Sequence, residues 1–165
     1  MNQNSQTLSS GATDEAAILR LYQQMMDGWN AAIGDVFAAP FEEDGDLVGF
    51  DGTHLKGYKE IATFHQHLFD MFLKGSRLIG KVKSVRFLTS DVAIMHAVGG
   101  TVMAGKTDLE PERNSVQTLV AVKRDTKWHL AAFQNTRATY IGRPEESRKL
   151  TEELRTCYSH SISEE

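Results

Sequence analysis

The chain has 165 residues, of which 41% are hydrophobic and 24% are charged, a composition typical of one globular domain with a sizeable core. The formal net charge of −4 argues against a nucleic-acid partner, because phosphate binding requires clustered lysine and arginine. The single cysteine, Cys157, cannot form an internal disulfide, and the polar segment Met1–Ala12 lacks the apolar core of a signal peptide. No run approaches the roughly 18 apolar residues of a membrane span, so we predict a cytoplasmic protein without a membrane partner.

The first half of the chain is mainly helical in pattern. Thr13 suits the N-cap of a first helix. The polar residues before it, 1–12, are predicted to form a disordered tail. Apolar residues then recur at helical spacing up to Ala32. Gly75 suits the C-cap of a later helix, which carries His65 on its apolar face. The helices predicted in this half run over 13–32, Asp35–Pro40 and Tyr58–Lys74.

Strand patterns surround the third helix and fill most of the chain after it. Asp51-Gly52 is typical of a hairpin turn, and a change of apolar parity near Ser84 indicates a β-bulge, which bends a strand. The predicted strands are Asp46–Phe50, Thr53–Lys56, a strand from Ser76 to about Phe87, Asp91–Met103, Ser115–Arg124 and Trp128–Tyr140, before a last helix over Glu145–Cys157.

The predicted element order is therefore α-α-β-β-α-β-β-β-β with a trailing helix. Helices followed by long, bent strands favour an α+β fold in which the helices cover one face of an antiparallel sheet. We predict one domain over 13–142, completed by a C-terminal helix and tail over 143–165. The sequence shows no internal repeat and no linker to a second domain.

Several short motifs occur in a fixed order between Asp14 and Tyr140. They are Trp29-Asn30-Ala31, Phe37–Phe41 leading to Asp44-Gly45-Asp46, Gly57 with Ile61–Phe64, and Val122-Lys123-Arg124 followed by Trp128-His129-Leu130. In this combination the chain resembles the nuclear transport factor two-like superfamily, which includes ketosteroid isomerase, scytalone dehydratase and the SnoaL-like polyketide cyclases. The segments Ser115–Val120 and Phe133–Arg137 look like its SgcJ/EcaC-type branch.

The resemblance implies a fold, an assembly and one exclusion. The expected fold is cystatin-like: a cone-shaped, curved, mixed or antiparallel sheet that wraps around helices and an internal pocket, and that forms a homodimer through its convex face. The positions that carry the chemistry of ketosteroid isomerase fall on Met25, Gly49 and Val120, none of which can donate or accept a proton. We therefore exclude isomerase chemistry of that type, and fold alone does not say which other chemistry occurs.

The resemblance also implies which residues face the pocket. The ligand-binding candidates are Met25, Trp29, Phe41, Phe64, Thr118, Phe133, Asn135 and Arg137. His65 and His96 are the catalytic candidates, because histidine moves protons near neutral pH; the alternative is that each is a core histidine held by one hydrogen bond. Asn135 and Arg137 would hold a carbonyl or a carboxylate. An inward Arg137 also needs a counter-ion, for which the sequence offers Asp46.

No motif for a metal or an organic cofactor is present in the sequence. No His/Cys cluster has the spacing of metal ligands, and His65 and His67, two residues apart on a helix, point to nearly opposite sides. No Gly-rich phosphate-binding loop follows a strand. We therefore expect neither a metal nor a cofactor, and we expect a small molecule as the ligand.

The sequence leaves the function open between two main hypotheses. The first is an enzyme that acts on a small, largely apolar molecule, aromatic or polyketide-like. The second is a binding or accessory protein with the same pocket and no turnover, and a weaker third is a dimerisation module with a filled cone. A charged pair of side chains sharing a water would favour catalysis, whereas isolated polar groups in an apolar cavity would favour binding.

Overall fold

The computed structural model describes residues 3–164, with side chains from residue 11 onward. The α-helices of this part of the chain are α1 (Gln3–Asn30), α2 (Gly34–Ala38), α3 (Tyr58–Leu68) and α4 (Pro144–Ser163). Helix α1 begins well before Thr13, so it runs through a segment for which the sequence predicts a tail; residues 1 and 2 lie outside the described part. None of these helices is long and apolar enough to cross a membrane.

The strands form one six-stranded mixed sheet with the order β2-β1-β6-β5-β4-β3. They are β1 (Phe41–Val48), β2 (His54–Lys56), β3 (Arg77–Thr89), β4 (Val92–Val102), β5 (Ser115–Arg124) and β6 (Lys127–Arg137). Neighbouring strands run antiparallel except β1 and β6, which run parallel. The predicted α+β fold and its element order are confirmed. Strand β1 includes Glu42–Asp46, for which the sequence predicts a turn; the register of β1 against β6 shifts between Phe41 and Asp46, so the pairing is irregular there.

The helices cover both faces of the sheet, which corrects the prediction that they cover only one face. Helices α1, α2 and α3 pack on the face that we call the inner face, and the main core lies between them and the sheet. Helix α4 packs on the opposite, outer face, where Leu150 and Leu154 join Ile79 and Val98 in a second apolar cluster. Burial of apolar surface contributes about 25 cal/mol per Å², which is why the apolar stripe of α4 settles on this patch.

A β-bulge in β6 decides which side chains of β5 face inward. Ala121 pairs with Leu130, whereas Val120 pairs with Ala132, so Ala131 is an extra residue on β6. Side chains of a strand alternate between the two faces of the sheet. One extra residue on β6 therefore changes which residue of β5 pairs with each later residue of β6, and so which residues of β5 share the inner face with them. The inward face of β5 is therefore shifted by one residue from the predicted face.

His96 and Thr118 lie on the outer face, which corrects their predicted orientation. His96 pairs with Thr118 across β4 and β5, and both residues are exposed. The inward positions of β5 at this level are instead Gln117 and Leu119, which pair with the inward half of β6. His96 therefore has no access to the interior of the fold, and its predicted role as a proton carrier in a pocket is wrong on grounds of position.

Candidate ligand-binding site

A cavity of about 400 Å³ lies between the inner face of the sheet and the helices α1 and α3. Apolar side chains make up most of its wall. They include Met25, Trp29, Phe37 and Phe64 from the helices, and Leu47 and Phe133 from the sheet. An apolar cavity of this size with a few polar groups is typical of a site for a small organic molecule.

The helical wall of the cavity is held by an aromatic cluster. The rings of Trp29 and Phe69 meet edge to face with their centroids 5.6 Å apart, and Trp29 Nε1 donates a hydrogen bond to Ser76 Oγ at 3.1 Å. Phe69 is fully buried. Such ring pairs contribute about 0.5–1.5 kcal/mol beyond the burial of their surface, so the indole keeps one position in the wall.

His65 lies in the same wall among apolar side chains. Its Nδ1 donates a hydrogen bond to the Ile61 carbonyl oxygen at 2.8 Å, and its ring stacks on Phe37 with the centroids 4.0 Å apart. Because a carbonyl oxygen only accepts, Nδ1 carries the proton and Nε2 has a free lone pair. Burial lowers the pKa of His65 from 6.5 to about 4. The ring is therefore neutral at pH 7 and acts as a hydrogen-bond acceptor and a weak base.

Polar side chains cluster at one end of the inner face. Ser115 pairs with Arg137, and Gln117 pairs with Asn135, so these four side chains lie next to one another on β5 and β6. All four line the cavity. Asn135 Oδ1 is buried and has no hydrogen-bond partner among the described residues. A buried polar atom without a partner costs about 1–3 kcal/mol, which favours a ligand as the missing partner of this amide.

Arg137 lies at the rim of the cavity without an acidic partner. Its guanidinium stacks over Phe50, with Cζ 3.8 Å from the ring centroid, and donates a hydrogen bond to the Arg113 carbonyl oxygen at 2.6 Å. Burial and the nearby charge of Arg113 lower the pKa of Arg137. The predicted counter-ion Asp46 contacts His54 instead, with Oδ1 and Nε2 2.7 Å apart, because its side chain turns toward β2. No carboxylate of the described chain pairs with Arg137.

The structure brings most of the predicted site residues to the cavity. Those that line it are Met25, Trp29, Phe64, His65, Phe133, Asn135 and Arg137. Phe41 does not: it is buried in the core next to Phe37, with ring centroids 6.5 Å apart. His96 and Thr118 lie on the outer face, as described above.

The predicted site residues do not include Ser115 and Gln117 of β5, or Phe50 and Arg113 at the rim. Ser115 and Gln117 face the cavity because they pair with Arg137 and Asn135. Knowledge of the bulge in β6 would have been enough to predict this pairing. Phe50 follows β1 and Arg113 precedes β5. No local sequence pattern indicates that either residue would contact Arg137. In the part of the chain that the structure describes, no three His, Cys, Asp or Glu side chains are arranged to hold a metal ion.

Comparison with solved structures places this fold in a family. No protein-family model matches the sequence, and neither does any curated protein. A domain of unknown function with a cystatin-like fold from Nostoc punctiforme PCC 73102 is 38% identical, with a TM-score of 0.77, and the match covers 93% of this chain and 98% of that one. A nuclear transport factor two-like protein of unknown function from Shewanella oneidensis MR-1 is 18% identical, with a TM-score of 0.62 over 74% of this chain and 98% of that one. The chain belongs to the family of this Nostoc domain, which has a cystatin-like fold, and it shares its fold with the nuclear transport factor two-like protein.

The resemblance predicted from the motifs is thus confirmed at the level of the fold, whereas the assignment to the SgcJ/EcaC-type branch stays a prediction. Enzymes occur among the structures with the same fold. A hexachlorocyclohexane dehydrochlorinase, LinA type 3, from Novosphingobium barchaimii LL02 has a TM-score of 0.67 and 14% identity, over 78% of this chain and 89% of that one. At this identity the likeness concerns the fold alone.

Proposed function

We propose that this protein binds a small amphipathic molecule. Its apolar body, aromatic or polyketide-like, fills the cavity, and its carboxylate or carbonyl group contacts Arg137. The observation that carries the proposal is the state of Arg137: the guanidinium is partly desolvated at the rim of an apolar cavity, and no carboxylate of the described chain neutralises it. Buried charges are normally paired, and a ligand anion would supply the pair through charge-assisted hydrogen bonds.

The surroundings of His65 favour binding over turnover. General acid–base catalysis needs a group whose pKa is close to the working pH and a neighbour that orients it. The pKa of His65 is lowered to about 4, and its hydrogen-bond partner is a backbone carbonyl. Among the described residues, no carboxylate forms a pair with its ring. An isolated imidazole acceptor in an apolar wall suits the positioning of a ligand hydroxyl rather than proton transfer.

We assign the chain to the SgcJ/EcaC-type branch as part of the same proposal. The two segments that carry this resemblance, Ser115–Val120 and Phe133–Arg137, are the strand segments that supply the polar end of the cavity. The resemblance and the proposed site therefore involve the same residues.

Replacing Arg137 by methionine is expected to remove the preference for acids. The probes are 2-naphthoic acid and its neutral methyl ester, which share one apolar body, and the measurement is isothermal titration calorimetry. Wild type should bind the acid at least tenfold more tightly than the ester, because a hydrogen bond to a charged group contributes about 1.5–3 kcal/mol. Arg137→Met should bind both with similar affinity and keep its fold, since methionine retains an unbranched apolar stem.

The matched control is Arg143→Met. Arg143 also lies over an aromatic ring, with Cζ 5.5 Å from the Tyr140 centroid, but it is exposed and does not line the cavity. This variant should retain the wild-type preference. Equal affinity of wild type for the acid and its methyl ester would mean that Arg137 contacts no ligand anion, and the proposal would fail.

We further propose that two copies of the chain pair through the outer face of the sheet, the homodimer that the resemblance implies. Rows of side chains cross this face from β3 to β6 beside the patch covered by α4. Two such rows are Ser84, His96, Thr118 and Gln134, and Arg86, Ile94, Val120 and Ala132. Within these rows only Arg86, at the edge, carries a full charge. A largely uncharged face suits pairing with itself about a twofold axis.

Sedimentation velocity at micromolar concentration should show twice the chain mass of 18.4 kDa for wild type. Thr118→Arg places a charge in the middle of the outer face and should shift the protein to the monomer. Thr63→Arg, at an exposed position of α3, should leave the dimer intact. A wild-type protein that sediments as a monomer would contradict the proposed assembly.

A further inference from the structure

A gap in the inner face of the sheet lies next to the polar end of the cavity. Gly80 and Gly99 pair with each other on β3 and β4, so neither strand presents a side chain at this level. A Cβ atom at Gly80 would lie 2.3 Å from the Tyr22 hydroxyl oxygen, and one at Gly99 would lie 2.7 Å from Gln117 Nε2. Tyr22 and Gln117 therefore occupy the space that these glycines leave open.

The two side chains that fill the gap bond to each other. The Tyr22 hydroxyl donates to Gln117 Oε1 at 2.7 Å, and both residues are 3% exposed. Burial raises the pKa of Tyr22, so the hydroxyl keeps its proton. If the amide were reversed, its nitrogen would face the hydroxyl, and the hydroxyl hydrogen would have no acceptor among the described residues. The cost of an unpaired buried donor therefore fixes the amide with its oxygen toward Tyr22.

The amide nitrogen of Gln117 is left on the side of the ligand. Within the described chain its partner is Ser115 Oγ at 3.5 Å, a weak contact, so at least one N–H remains for the cavity that Gln117 lines. Arg137 is the diagonal neighbour of Gln117 across β5 and β6 and offers only donors. Two groups that can only donate thus meet at one position of this end of the cavity, beside the unpaired acceptor Asn135 Oδ1.

We propose that Tyr22 is a positioning residue for ligand selection: by fixing the Gln117 amide it makes the position between Gln117 and Arg137 accept a ligand oxygen and reject a ligand N–H group. This inference rests on the proposed function and narrows its ligand class to molecules that present only acceptors at this position, such as carboxylates, ketones and esters. A primary or secondary amide bound with its N–H at this position is rejected, because the N–H would face a donor and leave both unpaired.

The experiment separates hydrogen-bond polarity from charge by using two neutral probes of nearly the same shape. Methyl 2-naphthoate presents an ester oxygen where N-methyl-2-naphthamide presents an N–H. By calorimetry, wild type should bind the ester at least tenfold more tightly than the amide. In Tyr22→Phe the amide of Gln117 is free to turn, so this ratio should fall to within about twofold of unity, while affinity for the ester changes by less than about threefold.

A second variant and a double mutant keep the inference testable if Tyr22→Phe folds poorly. Gln117→Leu removes the donor itself and should also bring the ester-to-amide ratio close to unity. Adding Tyr22→Phe to Gln117→Leu should then leave the ratio unchanged, because Tyr22 acts through Gln117; a purely structural role would not produce this non-additivity. A ratio that stays at its wild-type value in Tyr22→Phe or in Gln117→Leu overturns the inference.

The proposed function fails by a different result. If wild type binds neither 2-naphthoic acid nor methyl 2-naphthoate, or if Arg137→Met keeps the preference for the acid over its methyl ester, the proposed site is wrong and this inference falls with it. If Arg137→Met loses that preference while the ester-to-amide ratio is unity in wild type, the site is right and the role of Tyr22 is wrong.

Discussion

Acidification from pH 6.5 to pH 4 is expected to lower the free energy of unfolding by about 3 kcal/mol through His65 alone. Burial among the rings of Phe37, Phe64 and Phe69 lowers the pKa of His65 from 6.5 to about 4. The unfolded chain therefore binds this proton more readily than the folded chain. The contribution is fully present above pH 6.5 and is lost as the pH falls toward 4. Urea denaturation at a series of pH values between 4 and 7 measures it.

His65→Phe should fold and should lose most of this pH dependence. The substitution keeps an aromatic ring against Phe37 and removes the group that must be protonated. His67→Gln is the matched control, because His67 is exposed on the same helix, and it should retain the wild-type slope. The pKa values of Asp108 and Glu153 are lowered by their basic partners, so their contributions are lost mainly below pH 4. An unchanged slope in His65→Phe would show that the imidazole is not held neutral by burial.

The order and the type of the elements follow from patterns that are local in the sequence. Strand β5 has the predicted bounds, Ser115–Arg124, because a segment rich in β-branched residues ends there at a turn. The bulge predicted near Ser84 coincides with a shift in register between Val82 and Ser84. In both cases the pattern that predicts the strand, and the point at which that pattern ends or changes parity, lie within the residues of the strand itself.

The inward face of β5 could not be predicted in the same way. The turn at Asp125-Thr126 sets the register of β5 and β6, and counting on without a bulge pairs Thr118 with Phe133. Ala131 is the extra residue, and a small apolar residue between apolar neighbours gives no sign of a change in parity. The resemblance implies that Thr118 and Phe133 both face inward, as counting without a bulge also does; with Ala131 inserted, Thr118 and His96 beside it face outward.

The environment of Arg137 depends on contacts between segments that are distant in the sequence. Its predicted inward orientation places it at the cavity, because Phe133 and the residues after it follow the bulge in regular alternation. Its predicted counter-ion Asp46 is instead held by His54, a neighbour across a hairpin. Pairing of this kind is decided by side-chain geometry, of which the sequence contains no local sign. The absence of that counter-ion is what makes a ligand anion the proposed partner.

Replacing Gly28 by alanine is expected to lower the free energy of unfolding by about 2 kcal/mol or more. Gly28 is buried on α1 against α2, where a Cβ atom would lie 2.2 Å from Phe37 N and 2.4 Å from Phe37 Cα. Backbone atoms cannot yield as a flexible side chain does, so α2 must move away as a unit. Overpacking costs about 1–3 kcal/mol and occasionally more, and a clash with backbone belongs at the upper end of that range. Alanine regains only about 1 kcal/mol over glycine inside a helix.

Gly11→Ala provides the matched control, because it makes the same substitution on the same helix in open space. Nothing lies within 4 Å of a Cβ atom at Gly11, so this variant should gain up to about 1 kcal/mol from helix propensity. Urea denaturation of wild type and the two variants therefore separates packing from helix propensity: the free energy of unfolding should fall in Gly28→Ala and rise in Gly11→Ala. A shift of α2 also displaces Phe37 from the cavity wall, so Gly28→Ala should bind 2-naphthoic acid more weakly than wild type, and Gly11→Ala should not. Stabilisation by both substitutions would mean that α1 and α2 do not approach each other this closely.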